Sequence, residues 1–237
     1  MRGILITGTD TGVGKTYTAL RIINTARAAG LGVAAMKPFE TGCGSRDSRL
    51  VPRDAVKLMK ACGMNDIDTV NPYRFKTPAA PYVAARIEDR GIDVKKVVTL
   101  YGRLHRSYDL VVVEGAGGLL VPIERHLSYA DLARELSLEV LVVSANRLGA
   151  INHTMLTVDC TEAHGLSLLG VVLNSMDKKD DTAKRTNASV LSLLLGKKFL
   201  GETGCNSGRS NRALYKKIIG LALQRPAGRP RRDARPF

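Results

Sequence analysis

Residues 8–16 read Gly8-Thr-Asp-Thr-Gly-Val-Gly-Lys-Thr16, and they separate two segments of different character. The preceding run, Ile4-Leu-Ile-Thr7, is short and rich in β-branched residues, which favours a buried strand. The following segment, from about Lys15 to Ala29, is amphipathic and is followed by Gly30, a common helix stop. A strand, a glycine-rich turn and a helix in this order predict a loop that binds phosphate groups.

The chemistry of phosphate binding explains the residue types in this loop. Backbone N–H groups must turn inward around oxygen atoms, and Gly8, Gly12 and Gly14 permit that close approach. The Lys15 ammonium can reach the β- and γ-phosphates of a nucleotide, and the Thr16 hydroxyl is placed to bind Mg²⁺. Five residues instead of the usual four separate Gly8 from the Gly-Lys pair, so the motif is a variant of the phosphate loop.

The rest of the chain alternates short nonpolar runs with longer amphipathic ones, which predicts an α/β fold. We expect a parallel sheet flanked by helices on both faces, the Rossmann-like three-layer arrangement of a P-loop NTPase, in a single domain over residues 1–224. Further strands are predicted at residues 33–36, 110–113, 140–144 and 168–173, and helices at 54–61, 93–105, from about 150, 182–195 and 213–223. Residues 71–81 contain three prolines and are predicted to form an extended loop.

Glu114 ends the nonpolar run at 110–113 and is the first candidate metal ligand. In an open parallel sheet, ligands gather beyond the carboxyl ends of the strands. A carboxylate there can join Thr16 and the phosphates around Mg²⁺, a cation that prefers oxygen ligands. The segment Gly115-Ala-Gly-Gly118 is interpreted as a second loop that lets the backbone pass close to the ligand.

Two further charged residues each allow two interpretations. Lys37 follows the second predicted strand and precedes Thr41, and its ammonium could neutralise charge during phosphoryl transfer. Spacing alone favours the alternative, an exposed lysine on a connecting loop. Asp54 could bind a metal ion, but its place at the start of a predicted helix makes it first a candidate N-cap.

Composition limits the classes of partner. The chain has 237 residues and a net charge of +14, of which residues 200–237 carry +7. Residues 225–237, rich in Arg, Pro and Gly, are expected to form a basic, disordered tail that attracts polyanions without reading nucleic-acid sequence. No run approaches the ~20 nonpolar residues that span a bilayer, and the amino terminus lacks a secretory signal, so we expect a cytoplasmic protein.

Cysteine usage agrees with that location. Cys43, Cys62, Cys160 and Cys205 stand far apart and form no zinc-binding pattern with histidine. They are expected to be reduced thiols, as in most intracellular proteins.

Several motifs together resemble those of the dethiobiotin synthetase family. They are the phosphate loop, Lys37-Pro followed by Thr41-Gly42, Asn71-Pro-Tyr73, Val113-Glu-Gly-Ala-Gly-Gly118 and Leu148-Gly-Ala-Ile-Asn-His-Thr-Met-Leu-Thr157. They occur in the family's order over about residues 2–201, and jointly they are specific. The resemblance implies an ATP-dependent cyclo-ligase that makes dethiobiotin from 7,8-diaminononanoate, CO2 (or bicarbonate) and MgATP, through a carbamate and a carbamic–phosphoric anhydride.

By position, the resemblance also implies roles for single residues. The implied Mg²⁺ ligands are Thr16, Asp54 and Glu114. The implied catalytic residues are Thr11, Lys15 and Lys37. ATP is expected to contact Gly12, Val13, Gly14, Lys15, Thr16, Tyr17, Glu114, Gly117 and, at adenine, Asn174. The substrate is expected to contact Lys37, Thr41 and Gly118 of one subunit of a homodimer, and Leu148, Gly149, Ala150 and Asn152 of the other.

Three positions depart from the family's pattern. Gly12 stands where some members have Glu, and Tyr82 stands where His is common. The chain reads Leu200-Gly-Glu-Thr-Gly204 where the family usually has Leu-Gly-x-Ile-Pro, a segment that contributes to the adenine pocket. We therefore expect base recognition that is loose or that depends on Asn174.

Two other classes of protein compete with this interpretation. A related P-loop amidotransferase would normally add a glutaminase domain, for which the chain is expected to have no room. A P-loop switch ATPase of the partitioning or cell-division type would carry a signature lysine five residues before Lys15, and that position is Asp10. The positive charge alone indicates association and does not identify a chemistry.

Overall fold

A computed structural model describes residues 2–176, 181–204 and 208–224 of the chain. The strands are β1 (Arg2–Gly8), β2 (Val33–Met36), β3 (Phe39–Glu40), β4 (Gly44–Arg46), β5 (Arg49–Val51), β6 (Tyr73–Arg74), β7 (Leu110–Gly118), β8 (Pro122–Glu124), β9 (Leu127–Ser128), β10 (Glu139–Ala145), β11 (Leu168–Ser175) and β12 (Phe199–Gly204). The helices are α1 (Lys15–Ala28), α2 (Arg53–Cys62), α3 (Ile67–Val70), α4 (Pro81–Ile87), α5 (Val94–Ser107), α6 (Tyr129–Glu135), α7 (Ala150–Ala163), α8 (Thr182–Leu195) and α9 (Gly208–Gln224). A 3-10 turn spans Gly196–Lys198.

Six strands form one parallel sheet in the order β12-β11-β10-β1-β7-β2. The first strand lies in the middle, between β10 and β7. In the register of β1 and β7, Ile6 pairs with Glu114 and Gly8 pairs with Gly118. The carboxyl end of β1, where the phosphate loop begins, therefore lies beside the acidic and glycine-rich end of β7.

The sheet separates two nonpolar cores because successive strand residues point to opposite faces. In β7, Leu110 and Val112 join a cluster with residues of α1, α2 and α9. Val111 and Val113 join a second cluster with residues of α4, α5 and α6. Burial of the sheet on both faces explains why its strands are nearly continuous nonpolar runs, and the predicted three-layer α/β fold is confirmed.

The observed elements differ from the predicted ones at several points, and the edge strand β12 was not predicted. Glu114 does not end its strand, because β7 continues to Gly118. Residues 71–81 are not loop throughout, since Tyr73–Arg74 pairs with β3 and Pro81 begins α4. Helix α6 was not predicted. It begins at a capping box formed by Ser128 and Asp131, but its seven residues are too few for a clear helical period.

The described residues also bear on two expectations from composition. None of their helices is long and nonpolar enough to cross a lipid bilayer. Cys43, Cys62 and Cys160 are free thiols. Cys205 and the predicted tail at 225–237 lie outside the described residues.

Candidate active site

The phosphate loop folds back on itself between β1 and α1. Gly12 and Gly14 have φ angles of 74° and 95°, in the left-handed region that favours glycine. A Cβ atom added to Gly8 would lie 2.6 Å from the Asp10 carbonyl oxygen. These three glycines therefore allow a turn that other residues would strain or block. Thr11 and Gly12 are exposed at its tip, and Val13 is buried beneath it.

Lys15 is buried at the start of α1, with its ammonium inside the loop. Its Nζ donates a hydrogen bond to the Asp10 carbonyl oxygen at 2.9 Å. Burial, together with the nearby Lys37 ammonium, lowers the Lys15 pKa to about 8. The Asp10 carboxylate accepts hydrogen bonds from Thr11 N at 2.6 Å and from the Arg147 guanidinium at 2.8 Å. The loop thus holds a lysine whose charge is poorly compensated in the protein alone.

Four side chains from four separate segments converge beside the loop. The Thr16 hydroxyl donates to Glu114 Oε1 at 2.8 Å, and Lys37 Nζ donates to the same oxygen at 2.5 Å. Lys37 Nζ also lies 3.8 Å from Asp54 Oδ2. Lys37 is 5% and Glu114 1% exposed, so Lys37 is not the exposed loop lysine that spacing alone favoured.

Electrostatics favour the charged forms of Lys37 and Asp54. Burial alone would lower the Lys37 pKa, but the Glu114 and Asp54 carboxylates outweigh it and the net shift is upward. Burial would likewise raise the pKa of Asp54, but Lys37 and Lys57 hold it below its usual value. A charged lysine and an ionised aspartate therefore face each other beside the phosphate loop.

The backbone of Lys37 is held by a residue to which no role had been given. Asn71, fully buried, donates from Nδ2 to the carbonyl oxygens of Lys37 at 2.6 Å and Tyr73 at 3.1 Å. Lys37 N in turn donates to the Val70 carbonyl oxygen at 2.8 Å. The Asn-Pro-Tyr motif thus holds the segment that carries Lys37.

Asp54 is not the N-cap of its helix. Helix α2 begins at Arg53, so Asp54 lies within its first turn, and the N-cap residue is Pro52. The first-turn N–H groups of Asp54 and Ala55 donate to the two carboxylate oxygens of Glu40, at 3.0 and 2.9 Å. Sequence reasoning missed Glu40 because local patterns do not report a cap supplied from another strand.

The glycine-rich end of β7 packs against the phosphate loop. Gly117 has a φ angle of 68°, and a Cβ atom added to it would lie 2.8 Å from Val121 Cγ2 and 3.6 Å from Thr11 Oγ1. A Cβ atom added to Gly118 would lie 3.2 Å from the Gly8 carbonyl oxygen. Although this segment is a strand and not the predicted loop, it makes the close backbone approach that its glycines indicated.

Asn174 lies under the other side of the loop, near the end of β11. Its Nδ2 donates to the Val13 carbonyl oxygen at 2.8 Å. Its Oδ1 is buried and has no hydrogen-bond partner among the residues that the structure covers. The Tyr17 hydroxyl, in the first turn of α1, reaches the Gly204 carbonyl oxygen at 3.5 Å. Asn174, Tyr17 and the end of β12 therefore form one region.

The segment that departs from the family's Ile-Pro pattern is buried and internally hydrogen-bonded. Thr203 Oγ1 lies 2.7 Å from Asn211 Oδ1 and 2.9 Å from the Tyr215 hydroxyl. A Cβ atom at Gly204 would overlap the Ser175 carbonyl oxygen on β11. Thr203 and Gly204 are therefore built into the packing of β12 against α9 and β11, and the residues at 205–207 lie outside the described part.

The remaining candidate residues lie on two other segments. Thr41 is half-buried immediately after β3. Gly149, with a φ angle of 87°, precedes α7, whose first turn contains Ala150 and Asn152. Leu148 beside it is 87% exposed. The ion pair between Arg147 and Asp10 links this segment to the tip of the phosphate loop.

A cavity of about 440 Å³ opens beside the loop. It is lined by Gly8 and Thr9, by residues 118–122, and by Leu156, Thr157 and Cys160 of α7. Leu120 and Leu156 on its wall are 56% and 60% exposed. A mainly nonpolar cavity thus adjoins the phosphate loop.

Comparison with known proteins supports a relation in sequence and in fold. Residues 2–202 match a family described as AAA domain. The chain is 44% identical over 195 residues to the ATP-dependent dethiobiotin synthetase of Anaeromyxobacter dehalogenans (strain 2CP-C), covering 82% of this chain and 86% of that protein. It is 40% identical over 193 residues to the corresponding enzyme of Aquifex aeolicus, covering 81% and 84%.

Similar solved structures include a plasmid partition protein from Borrelia burgdorferi, with a TM-score of 0.57 and 16% identity over 94% of this chain and 98% of that one. A ParA family ATPase from Chlorobium tepidum gives a TM-score of 0.53 and 14% identity, covering 94% and 90%. At such identities the likeness supports the fold alone.

Proposed function

This chain belongs to the dethiobiotin synthetase family of AAA-domain proteins, and from that premise we propose that it forms dethiobiotin from 7,8-diaminononanoate, CO2 and ATP with Mg²⁺. One substrate amine captures CO2 as a carbamate and loses a proton. A carbamate oxygen then attacks the γ-phosphorus, the bond to the bridging oxygen breaks, and ADP leaves. The second amine attacks the carbonyl carbon of the resulting anhydride, loses a proton and displaces phosphate, which closes the cyclic urea.

In this reaction the protein has mainly to position reactants and stabilise charge. We assign the β- and γ-phosphates to the backbone of residues 12–17 and to the Lys15 ammonium. Lys37, held charged beside Glu114, would bind the oxygens of the γ-phosphate and the carbamate, where negative charge moves during transfer. Thr11 at the exposed tip and Thr41 after β3 would complete the polar wall.

The donor set fits Mg²⁺ bound jointly with ATP. Mg²⁺ takes oxygen ligands and is commonly held by one or two carboxylates plus phosphates. Thr16, Asp54 and Glu114 supply a hydroxyl and two carboxylates, and Glu114 Oε2 is buried with no hydrogen-bond partner in the described part of the chain. An orphaned carboxylate oxygen is costly, which supports a cation ligand there. When bound, Mg²⁺ would neutralise phosphate charge.

The adenine is assigned to the region of Asn174. Since Asn174 Nδ2 is committed to the Val13 carbonyl oxygen, the free side-chain atom is Oδ1, an acceptor. An acceptor matches the exocyclic amino group of adenine. Gly117 would lie beside the nucleotide at the other wall of the loop.

We further propose a homodimer in which each site takes the substrate carboxylate from its partner. The helix start Leu148–Asn152 of the partner subunit would bind that carboxylate, because the free N–H groups and the dipole of a helix N-terminus favour an anion. Gly118 and the cavity beside it offer nonpolar surface for the carbon chain. Exposed Leu120, Leu148 and Leu156 are side chains that a subunit contact would cover. We place the enzyme in the cytoplasm, where ATP is available.

The convergence of Thr16, Lys37 and Glu114 beside the phosphate loop carries this proposal. The test is to incubate the protein with diaminononanoate, labelled bicarbonate and MgATP and to seek dethiobiotin by mass. We expect the label in the ureido carbon and one ADP for each product molecule. ATP hydrolysis that does not depend on diaminononanoate and yields no dethiobiotin would instead favour a switch ATPase.

A further inference from the structure

Glu40 is a buried carboxylate that the proposed reaction does not use. It is 6% exposed and lies at the end of β3, three residues after Lys37. Its main chain is anchored as well, because its carbonyl oxygen accepts a hydrogen bond from Phe75 N at 2.8 Å. Burying a carboxylate is costly unless it is well hydrogen-bonded, so its partners indicate what it does.

Both partners of the Glu40 side chain belong to the first turn of α2. Each carboxylate oxygen accepts one backbone N–H group, from Asp54 and from Ala55. Pro52 occupies the N-cap position and has no side-chain oxygen with which to accept these donors. Helices α5, α6 and α8 differ, since Asp93, Ser128 and Asp181 cap them from the adjoining position.

This remote cap connects two parts of the candidate metal site. Lys37 and Glu40 lie on one short segment, and Asp54 lies on the helix that Glu40 holds. Asp54 Oδ2 is 3.8 Å from Lys37 Nζ, which contacts Glu114. The position of the Asp54 carboxylate relative to Lys37 therefore depends on where α2 starts, and the Glu40 carboxylate fixes that start.

We propose that Glu40 is a positioning residue that sets the place of the Asp54 carboxylate in the metal site by capping α2. The inference rests on the proposed function of Asp54 as a ligand of the divalent cation. Loss of a side chain that orients a metal ligand typically weakens metal affinity about 10- to 100-fold. A cap with a purely structural role would lower stability and leave that affinity unchanged.

The experiment measures Mn²⁺ binding by electron paramagnetic resonance in the presence of a non-hydrolysable ATP analogue. Glu40→Ala should raise the dissociation constant for Mn²⁺ about 10- to 100-fold. Glu40→Gln retains one acceptor oxygen and should give a smaller increase, and it serves as the test if Glu40→Ala does not fold. Both variants should also unfold at lower temperature.

The matched control is Asp93→Ala, which removes the side chain that accepts the Lys95 N–H at the start of α5. It should lower the unfolding temperature and leave Mn²⁺ affinity within about twofold of the wild type, because capping contributes to stability. Equal Mn²⁺ affinities in the Glu40 variants and Asp93→Ala would overturn the inference, as would a wild type that binds no Mn²⁺ with the analogue. Substrates are absent, so a protein that binds Mn²⁺ normally but makes no dethiobiotin would contradict only the proposed function.

Discussion

The Lys37 ammonium group interacts with two carboxylates and, in the proposed reaction, also binds the transferring phosphoryl group. Because it is buried against Glu114, removing it leaves an uncompensated buried charge, which commonly costs about 3–5 kcal/mol. A substitution here should therefore affect both stability and catalysis, and the two effects must be measured separately.

We predict that Lys37→Ala leaves ATP binding measurable but lowers turnover by about 10²-fold or more, as with other lost oxyanion stabilisers. Turnover is measured as dethiobiotin formation at a temperature where the variant is folded, and ATP binding by calorimetry. The control is Lys57→Ala, which removes the other lysine near Asp54, at 3.1 Å. Its side chain is 58% exposed, and exposed ion pairs contribute little, so turnover should stay within about twofold. Equal losses in both variants would remove the special role of Lys37.

We predict that Lys15 makes nucleotide binding depend on pH. The pKa of Lys15 is about 8 in the protein alone. At about pH 8.5, half a unit above this pKa, the Lys15 side chain is therefore mostly neutral. Bound phosphates favour the ammonium form and raise the pKa of Lys15. Nucleotide binding at that pH should therefore take up more than half a proton per nucleotide. The affinity for nucleotide should fall as the pH rises through 8 and above. Calorimetry in buffers of different ionisation enthalpy measures the uptake.

The control for this prediction is Lys15→Arg, because guanidinium stays charged throughout this range. If Lys15→Arg still binds nucleotide, its binding should be accompanied by no comparable proton uptake. Uptake that persists in Lys15→Arg would assign the proton to another group.

Single residues differ in how far the sequence alone could place them. The contact of Thr16 with Glu114 follows from a phosphate loop and an acidic strand end on the same edge of a parallel sheet. The burial of Lys37 required the family resemblance, since its spacing matched an ordinary loop lysine. The cap from Glu40 to α2 was not predicted, because it joins a side chain to backbone N–H groups across 14 positions. Hydrophobic periodicity carries no information on such a contact.

At the scale of elements, the long and strongly periodic segments were predicted best. Helices α1, α5 and α8 and the central-sheet strands β1, β2, β7, β10 and β11 begin close to their predicted positions, because two-sided burial gives clear nonpolar runs. The edge strand β12 and short elements such as α4, α6 and β6 were missed, since tertiary contacts stabilise them more than local pattern does. The end of β7 was interpreted as loop because glycine is depleted in strands, but here it permits close approach to the phosphate loop.

Substitutions at Gly204 in β12 and at Gly220 in α9 test how closely the segment that departs from the family's pattern is packed. We predict that Gly204→Ala lowers the free energy of unfolding by about 1–3 kcal/mol, the usual cost of overpacking, because its Cβ would overlap the Ser175 carbonyl oxygen. Gly220→Ala, the same substitution within α9, should raise it by about 0.5–1 kcal/mol, since the added Cβ meets no described atom within 4 Å apart from its chain neighbours and the backbone of its own helix.

Urea unfolding measures both changes. A neutral Gly204→Ala would show that β12 does not pack closely on β11. In that case the packing of β12 would not explain why this chain has Gly204 where the family usually has proline.

In the whole molecule, the fold alone does not determine the activity. The likeness to partition proteins extends over nearly the whole described fold, yet a P-loop sheet supports many chemistries. What distinguishes this chain is the site, where Asp10 stands at the position of the switch lysine and contacts Arg147. The net charge of +14 indicates only a tendency to associate with polyanions.

The proposed dimer predicts complementation between two inactive variants. Lys37→Ala disables the site of its own subunit, whereas Asn152→Asp places a negative charge where the partner's substrate carboxylate should bind. Asn152 is exposed in the first turn of α7, and an acidic residue there suits the helix dipole, so the second variant should fold normally. Each variant alone should make little dethiobiotin.

When equal amounts of the two variants exchange subunits, half of the dimers should be mixed. In a symmetric dimer with shared sites, each mixed dimer has one site with both defects and one with neither. The mixture should therefore recover about one quarter of the wild-type activity, measured as dethiobiotin formed after exchange by dilution and reconcentration. Only a site shared across the interface can combine two defective chains into one intact site. A mixture no more active than its components would therefore mean that Asn152 contributes to its own subunit's site or that the substrate carboxylate binds elsewhere.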